Sequence, residues 1–143
     1  MIHLLDVNVL VALAWPNHVH HAAAHRWFAD LDGWATTPIT ELGFVRVSCN
    51  AQVLSEAVRP GAALAMLGRM RRAGGHTFWS DDIVLSEDDS GLTARIVGYR
   101  QLTDAHLILL ARARGGSVAT FDRGMAQLVA GLMPEQVERI ATE

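Results

Sequence analysis

Ile2-His3-Leu4-Leu5-Asp6-Val7-Asn8-Val9-Leu10 opens the chain with an acid set inside an apolar run. Ile2 to Leu5 reads as a short buried strand. Asn8 to Trp15 reads as the helix that follows it, closed by Pro16 and Asn17. A strand that hands over to a helix is the first half of a parallel β–α unit. The handover falls at Asp6. An idle charge between Leu5, Val7, Val9 and Leu10 is costly, so Asp6 calls for a function.

The same alternation continues outward from this segment. His18 to Leu31 is an alanine-rich helical stretch, and Trp34 to Thr36 a short strand. Thr37-Pro38 starts a helix, with a hydroxyl at the N-cap and proline at the first helical position. That helix carries Glu41 and runs to Cys49. Arg59-Pro60 opens another, through Leu64 and Leu67 to Arg72, stopped by Gly74-Gly75. His76 to Trp79 is a third strand. Ser80 to Gly91 is acidic, lacks an apolar period and reads as loop or short helix. Thr103 to Arg114 is a helix that Thr103 can cap, with Asp104 in its first turn and Gly115-Gly116 at its end. Ser117 to Phe121 is a strand followed at once by Asp122, then a helix from Arg123 to Leu132 and a last strand from Val137 to Ala141. The expected fold is α/β, one domain over residues 1–143, with a central, mostly parallel sheet flanked by helices.

Composition narrows the function. The chain has 143 residues, 50% hydrophobic and 19% charged, enough for one folded core. The formal net charge is −3, with no basic tail to hold nucleic acid. All 12 basic residues are arginine. A Walker A loop and a Schiff-base enzyme both need lysine, so both are excluded. Cys49 stands alone, which rules out an intrachain disulfide and fits a reducing cytoplasm. The N-terminus lacks a basic n-region and is not read as a signal peptide. No apolar run is long enough to span a membrane.

The carboxylates fall where α/β folds keep their sites. Ligands bind beyond the carboxyl ends of the strands. Asp6 and Asp122 each follow a strand, and Glu41 and Asp104 each lie in a helix's first turn, which opens onto the same edge. Taken alone, each acid has an ordinary explanation as a turn residue or a helix N-terminal charge. Four from separated segments converging on one crevice repel, and a divalent cation is the simplest compensation. Oxygen ligands without a neighbouring cysteine select Mg²⁺ or Mn²⁺ over Zn²⁺.

Leu4-Leu5-Asp6-Val7-Asn8-Val9-Leu10 resembles the opening of PIN-domain ribonucleases, in particular VapC-type toxins of toxin–antitoxin pairs. Thr40-Glu41-Leu42-Gly43-Phe44-Val45-Arg46 resembles their second acidic motif, Leu102-Thr103-Asp104-Ala105-His106-Leu107 the third, and Ala119-Thr120-Phe121-Asp122-Arg123-Gly124 the last. Each motif is weak by itself; four in order across nearly the whole chain are specific. The resemblance implies a PIN-like fold and an endoribonuclease in which Asp6, Glu41, Asp104 and Asp122 hold Mg²⁺ or Mn²⁺. Asn8 and Thr120 match supporting positions. It also implies a VapB-like antitoxin, an RNA substrate and a homodimer.

Other features have plainer readings. His21 and His25 stand at i, i+4, but no third ligand is spaced to complete a zinc site, so they read as a partly exposed helix face. Arg46 and Arg112 share helices with Glu41 and Asp104 and are expected near the site rim. Arg69, Arg71 and Arg72 form the densest basic cluster, a solvated helix face or a hold for RNA phosphates. Trp34 and Trp79 read as core, Trp15 and Trp27 as interface residues. A haloacid-dehalogenase-like phosphatase would want Asp-x-Asp after the first strand and a lysine, and a receiver domain also wants a lysine. The remaining alternative is a non-catalytic PIN-like scaffold that binds RNA or protein, which a lost acid would favour.

Overall fold

β1 (Ile2–Leu5) occupies the middle of a five-stranded sheet, and alternating side chains send Leu4 to one face and Leu5 to the other. The structure, a computed structural model, describes residues 1–142. In chain order, β1 is followed by α1 (Val7–Ala14), α2 (His21–Phe28), β2 (Gly33–Thr36), α3 (Pro38–Ser48), α4 (Pro60–Arg71), β3 (His76–Phe78), α5 (Leu102–Ala113), β4 (Ser117–Thr120), α6 (Arg123–Val129) and β5 (Val137–Arg139). The strand order is β3-β2-β1-β4-β5 and every pairing is parallel. Buried on both faces, β2 and β4 carry no exposed residue.

Two cores follow from that burial. On one face α1 to α4 pack Val9, Leu10, Phe44 and Leu67 against Leu5 and Ala119. On the other, α5 and α6 pack Leu107, Ile108, Leu110, Met125 and Val129 against Leu4 and Val118. The chain builds outward from β1 to β2 and β3, then crosses to β4 on the opposite side. The reversal of strand order therefore lies between β1 and β4, where α/β sheets open a crevice at their carboxyl edge.

Local signals set several boundaries as expected. Thr37 caps α3 in a reciprocal box: its Oγ1 accepts from Thr40 N–H at 3.2 Å, and Thr40 Oγ1 accepts from Thr37 N–H at 2.9 Å. α5 ends at Gly115, whose φ of +70° suits only glycine without strain. Two expectations need correction. Thr103 does not cap α5; the helix starts one residue earlier, out of a 3₁₀ turn at Tyr99–Gln101, with Gln101 at the N-cap and no side-chain cap bond. Trp15 is not an interface residue. It is 5% exposed, and its indole N–H donates to Ser48 Oγ at 3.2 Å, joining α1 to α3 inside the core. Ser80–Gly91 is loop with one 3₁₀ turn at Leu85–Glu87. Among the described residues no helix is long and apolar enough to cross a membrane.

Candidate active site

Asp6 leaves β1 with its N–H donating to Ala119 O at 3.0 Å, the last bond of the β1–β4 pairing. Its carboxylate then caps α1, Oδ1 accepting from Val7 N–H at 2.8 Å. Oδ2 accepts from the Thr120 hydroxyl at 2.7 Å. Thr120 is fully buried at the end of β4, and its Oγ1 also accepts from Asn8 Nδ2 at 3.3 Å and Asp122 N–H at 3.0 Å. One hydrogen and two lone pairs are thereby all used. Asn8 Oδ1 accepts from Phe121 N–H at 3.3 Å, which fixes the amide's orientation. Asp122 caps α6, accepting from Gly124 N–H at 2.9 Å. Thr120 is thus the hub that joins the ends of β1 and β4 to the starts of α1 and α6.

Asp104 enters the same crevice from the first turn of α5. Among the described residues no N–H or O–H donates to its carboxylate. Burial first, then the charges of Asp6 and Asp122, push its pKa up to about 7. Burial also raises Asp6, assisted by Asp122 and opposed by the bonds from Thr120 and Val7. The three aspartates feel one another's charge, and two already have fixed orientations. Their chemistry fits a hard divalent cation: oxygen donors only, in a crevice whose uncompensated repulsion a cation would remove. As the side chains stand, no three His, Cys, Asp or Glu among the described residues are grouped tightly enough to hold an ion.

Glu41 stands one strand further out. It accepts from the Thr36 hydroxyl at 2.6 Å and pairs with Arg71 at 3.3 Å. Thr36 Oγ1 in turn accepts from His76 Nε2, 2.7 Å away. Glu41 acts on the charge of His76 and is absent from the charges that act on Asp6 and Asp104. The structure brings Asp6, Asp104 and Asp122 within reach of one another's charge and holds Glu41 one strand further out, on an arginine.

The two arginines expected at the rim both sit at helix ends. Arg112 lies in the last turn of α5, about 12 Å of helical rise beyond Asp104 and toward the opposite sheet edge. Arg46 is exposed in the last turn of α3 and makes no ion pair among the described residues; the arginine that meets Glu41 is Arg71, from α4. His21 Nδ1–H and His25 Nε2–H donate to the carbonyls of Ala12 (2.7 Å) and Leu13 (2.9 Å), satisfying the C-terminal end of α1.

Asp81 escaped the sequence reading. Its Oδ2 accepts from Ile39 N–H at 3.1 Å, in the first turn of α3, and its Oδ1 lies 2.9 Å from His106 Nε2. It therefore ties the start of α3 to the turn of α5 that carries Asp104. The signal that found Asp6 and Asp122, an acid just past a strand, was present here too, after β3. Beside Asp6 a groove of about 460 Å³, lined by Val7, Asn8, Val11, His18, Val47 and Leu54 among others, leads into the crevice.

Comparison with known proteins agrees with this architecture. The PIN domain profile matches residues 3–130. The chain is 55% identical over 128 residues to Ribonuclease VapC38 of Mycobacterium tuberculosis (strain ATCC 25618 / H37Rv), covering 87% of this chain and 88% of that protein. It is 52% identical over 125 residues to Ribonuclease VapC39 of the same strain, covering 86% and 90%. Ribonuclease VapC29 is 38% identical over 135 residues, covering 92% and 96%.

Proposed function

Because this chain belongs to the PIN-domain family, among the VapC ribonucleases, we propose that it is an endoribonuclease and the toxin of a toxin–antitoxin pair. It cuts RNA phosphodiester bonds with Mg²⁺ or Mn²⁺ held by Asp6, Asp104 and Asp122, and Glu41 contributes from the rim. The observation that carries this reading is Asp104, a carboxylate whose pKa is raised to about 7 by burial and then by the charges of Asp6 and Asp122. A structural role gives no reason to gather three charges at a strand switch point.

A divalent ion bound there supplies Lewis acidity toward the phosphoryl oxygen and an acidified water. The chain supplies the positioning. Thr120 and the Val7 N–H hold both oxygens of Asp6, so its orientation costs nothing further when substrate arrives. Asp122 spends one oxygen on Gly124 and keeps the other for the crevice. Asp104, whose proton is held by burial and by the neighbouring charges, would be favoured as the carboxylate by a bound cation. No side chain need act as a covalent nucleophile.

The partner readings follow from the same charges. The antitoxin is VapB-like, and an arginine from it competes with the ion by entering among the aspartates, forming charge-assisted hydrogen bonds. The toxin works in the cytoplasm as a homodimer. Support for pairing comes from Leu42, Leu64 and Phe78, 55%, 56% and 44% exposed around one groove between α3, α4 and the edge strand β3.

The test is induction of the chain alone in a bacterial host. Growth should stop with wild type, continue with Asp104→Asn, and recover when the neighbouring small open reading frame is co-expressed. Equal toxicity of wild type and Asp104→Asn would break the link between toxicity and the carboxylates. Uninhibited growth with soluble wild type would sink the toxin reading.

A further inference from the structure

Three arginines, Arg69, Arg71 and Arg72, crowd the end of α4 in a chain of net negative charge. Helix C-termini favour cations, and that explains arginines there in general. It does not explain where two of them go. Arg71 leaves the helix end and lays its guanidinium 5.2 Å from the centre of the Phe78 ring, on β3. It spends a single nitrogen, Nη1, on Glu41, 3.3 Å from one oxygen and 3.4 Å from the other, rather than the two-pronged pairing its fork allows. The Arg72 backbone N–H closes the helix on Gly68 O at 3.2 Å, but its guanidinium makes no hydrogen bond or ion pair among the described residues. Its Nη1 lies over Gly68, where an added Cβ would stand only 3.3 Å away. Together with His76 these groups line a surface pocket of about 360 Å³. Burial and the Arg71 charge lower the His76 pKa against an upward pull from Glu41, so the pocket's positive charge rests on its two arginines.

We propose that the pocket of Gly68, Arg71, Arg72 and His76 binds a backbone phosphate of the RNA substrate, remote from the cleaved one. The proposal rests on the nuclease reading. Arginine forks with spare N–H groups match phosphate oxygens in geometry and charge. The pocket also lies on the right line. Strands are about 4.8 Å apart, so β3 stands roughly 10 Å along the sheet from β1. Glu41 bridges the interval, joined to Thr36 at the end of β2 and to Arg71 beside β3. A strand of RNA crossing from the aspartate crevice over β2 would pass Glu41 and the Arg71 that is paired with it. Arg71 and Arg72 thereby give an acidic protein a local hold on a polyanion.

Salt dependence reads phosphate contacts directly. The probe is a fluorescein-labelled, single-stranded RNA 12-mer of mixed sequence, kept intact by an Asp104→Asn background. Its affinity is measured from 50 to 200 mM NaCl for that background alone and with R72A, R71A/R72A or R112A added. Each lost phosphate contact should lower the slope of log K against log salt by about 0.7. R72A should weaken binding several-fold at low salt and R71A/R72A about tenfold or more. R112A removes the same charge from the opposite end of α5 and should change neither quantity. R72A breaks no contact that holds the fold, so an unchanged thermal midpoint accompanies its effect. Equal slopes and affinities for R71A/R72A and its background overturn the pocket while leaving the nuclease intact. If wild type in Mg²⁺ neither binds nor cuts the RNA, the nuclease reading falls and takes the pocket with it.

Discussion

The Thr120 hydroxyl donates to Asp6 Oδ2 at 2.7 Å across 114 residues of sequence. The bond is possible because β1 and β4 are neighbours in the sheet, with Leu5 opposite Ala119. It joins the two halves of the chain at the point where the strand order reverses. It also leaves Thr120 Oγ1 free only as an acceptor, and Asn8 and Asp122 N–H occupy that role.

Replacing Thr120 by valine keeps the shape and strands three partners. Buried donors without acceptors cost about 1–3 kcal/mol, and outer-sphere losses of this kind weaken metal affinity about 10–100-fold. Thr120→Val should therefore lower both the thermal midpoint and Mn²⁺ affinity. Thr120→Ser retains the hydroxyl and should restore most of the metal affinity. Calorimetric titration with Mn²⁺ compares the three proteins; equal affinities would remove Thr120 from the positioning of Asp6.

The Asp104 carboxyl gives metal-free protein an unusual pH profile. Its folded pKa is raised from 3.8 to about 7, so between those values the native state holds more protons than the unfolded chain. Stability then falls as pH rises through this window. Asp6, also raised, acts in the same direction. In EDTA the urea midpoint should be higher at pH 5 than at pH 8. Asp104→Asn should flatten the difference, and saturating Mg²⁺ should reverse it by stabilising the deprotonated form. His18 and His76, whose pKa values are lowered, pull the other way, so the same pH dependence in wild type and Asp104→Asn would contradict the placement of the three aspartates.

Gly43 sets the distance between α1 and α3. A Cβ there would come within 2.6 Å of Val7 Cγ2, in the first turn after Asp6. Valine is stiff at χ1 and cannot swing aside freely. Gly43→Ala should cost about 1–3 kcal/mol by overpacking, despite the better helix propensity of alanine. Chemical denaturation measures the change; a neutral or stabilising result would show that the helices can separate without penalty.

The parts of the fold legible beforehand are those with local causes. Strand and helix alternation, the Thr37-Pro38 helix start and the glycine stop at Gly115 all depend on neighbours in sequence. Asp6 stood out because its own flanks are apolar. What escaped depends on contacts between distant segments. Arg71 comes to Glu41 from thirty residues away, from a helix end that read only as a solvated basic face or a hold for RNA phosphates. Asp81 joins α3 to α5 from a stretch with no periodic pattern. Trp15 looked like an interface residue until Ser48 appeared opposite its indole N–H. The start of α5 was misjudged because a 3₁₀ turn already supplies the helical lead-in that a Thr103 cap would have provided.

Cleavage of RNA under single-turnover conditions, with Mg²⁺ titrated into chelator-stripped protein, bears most directly on the three-aspartate centre. Wild type should be inactive in EDTA and gain activity saturably with Mg²⁺. Asp104→Asn should be slower by about 10²–10³-fold at saturating Mg²⁺, the scale of other electrostatic deletions at catalytic sites, with its fold retained. Full cleavage in EDTA, or an Asp104→Asn protein as fast as wild type, would contradict catalysis by an ion held on these carboxylates.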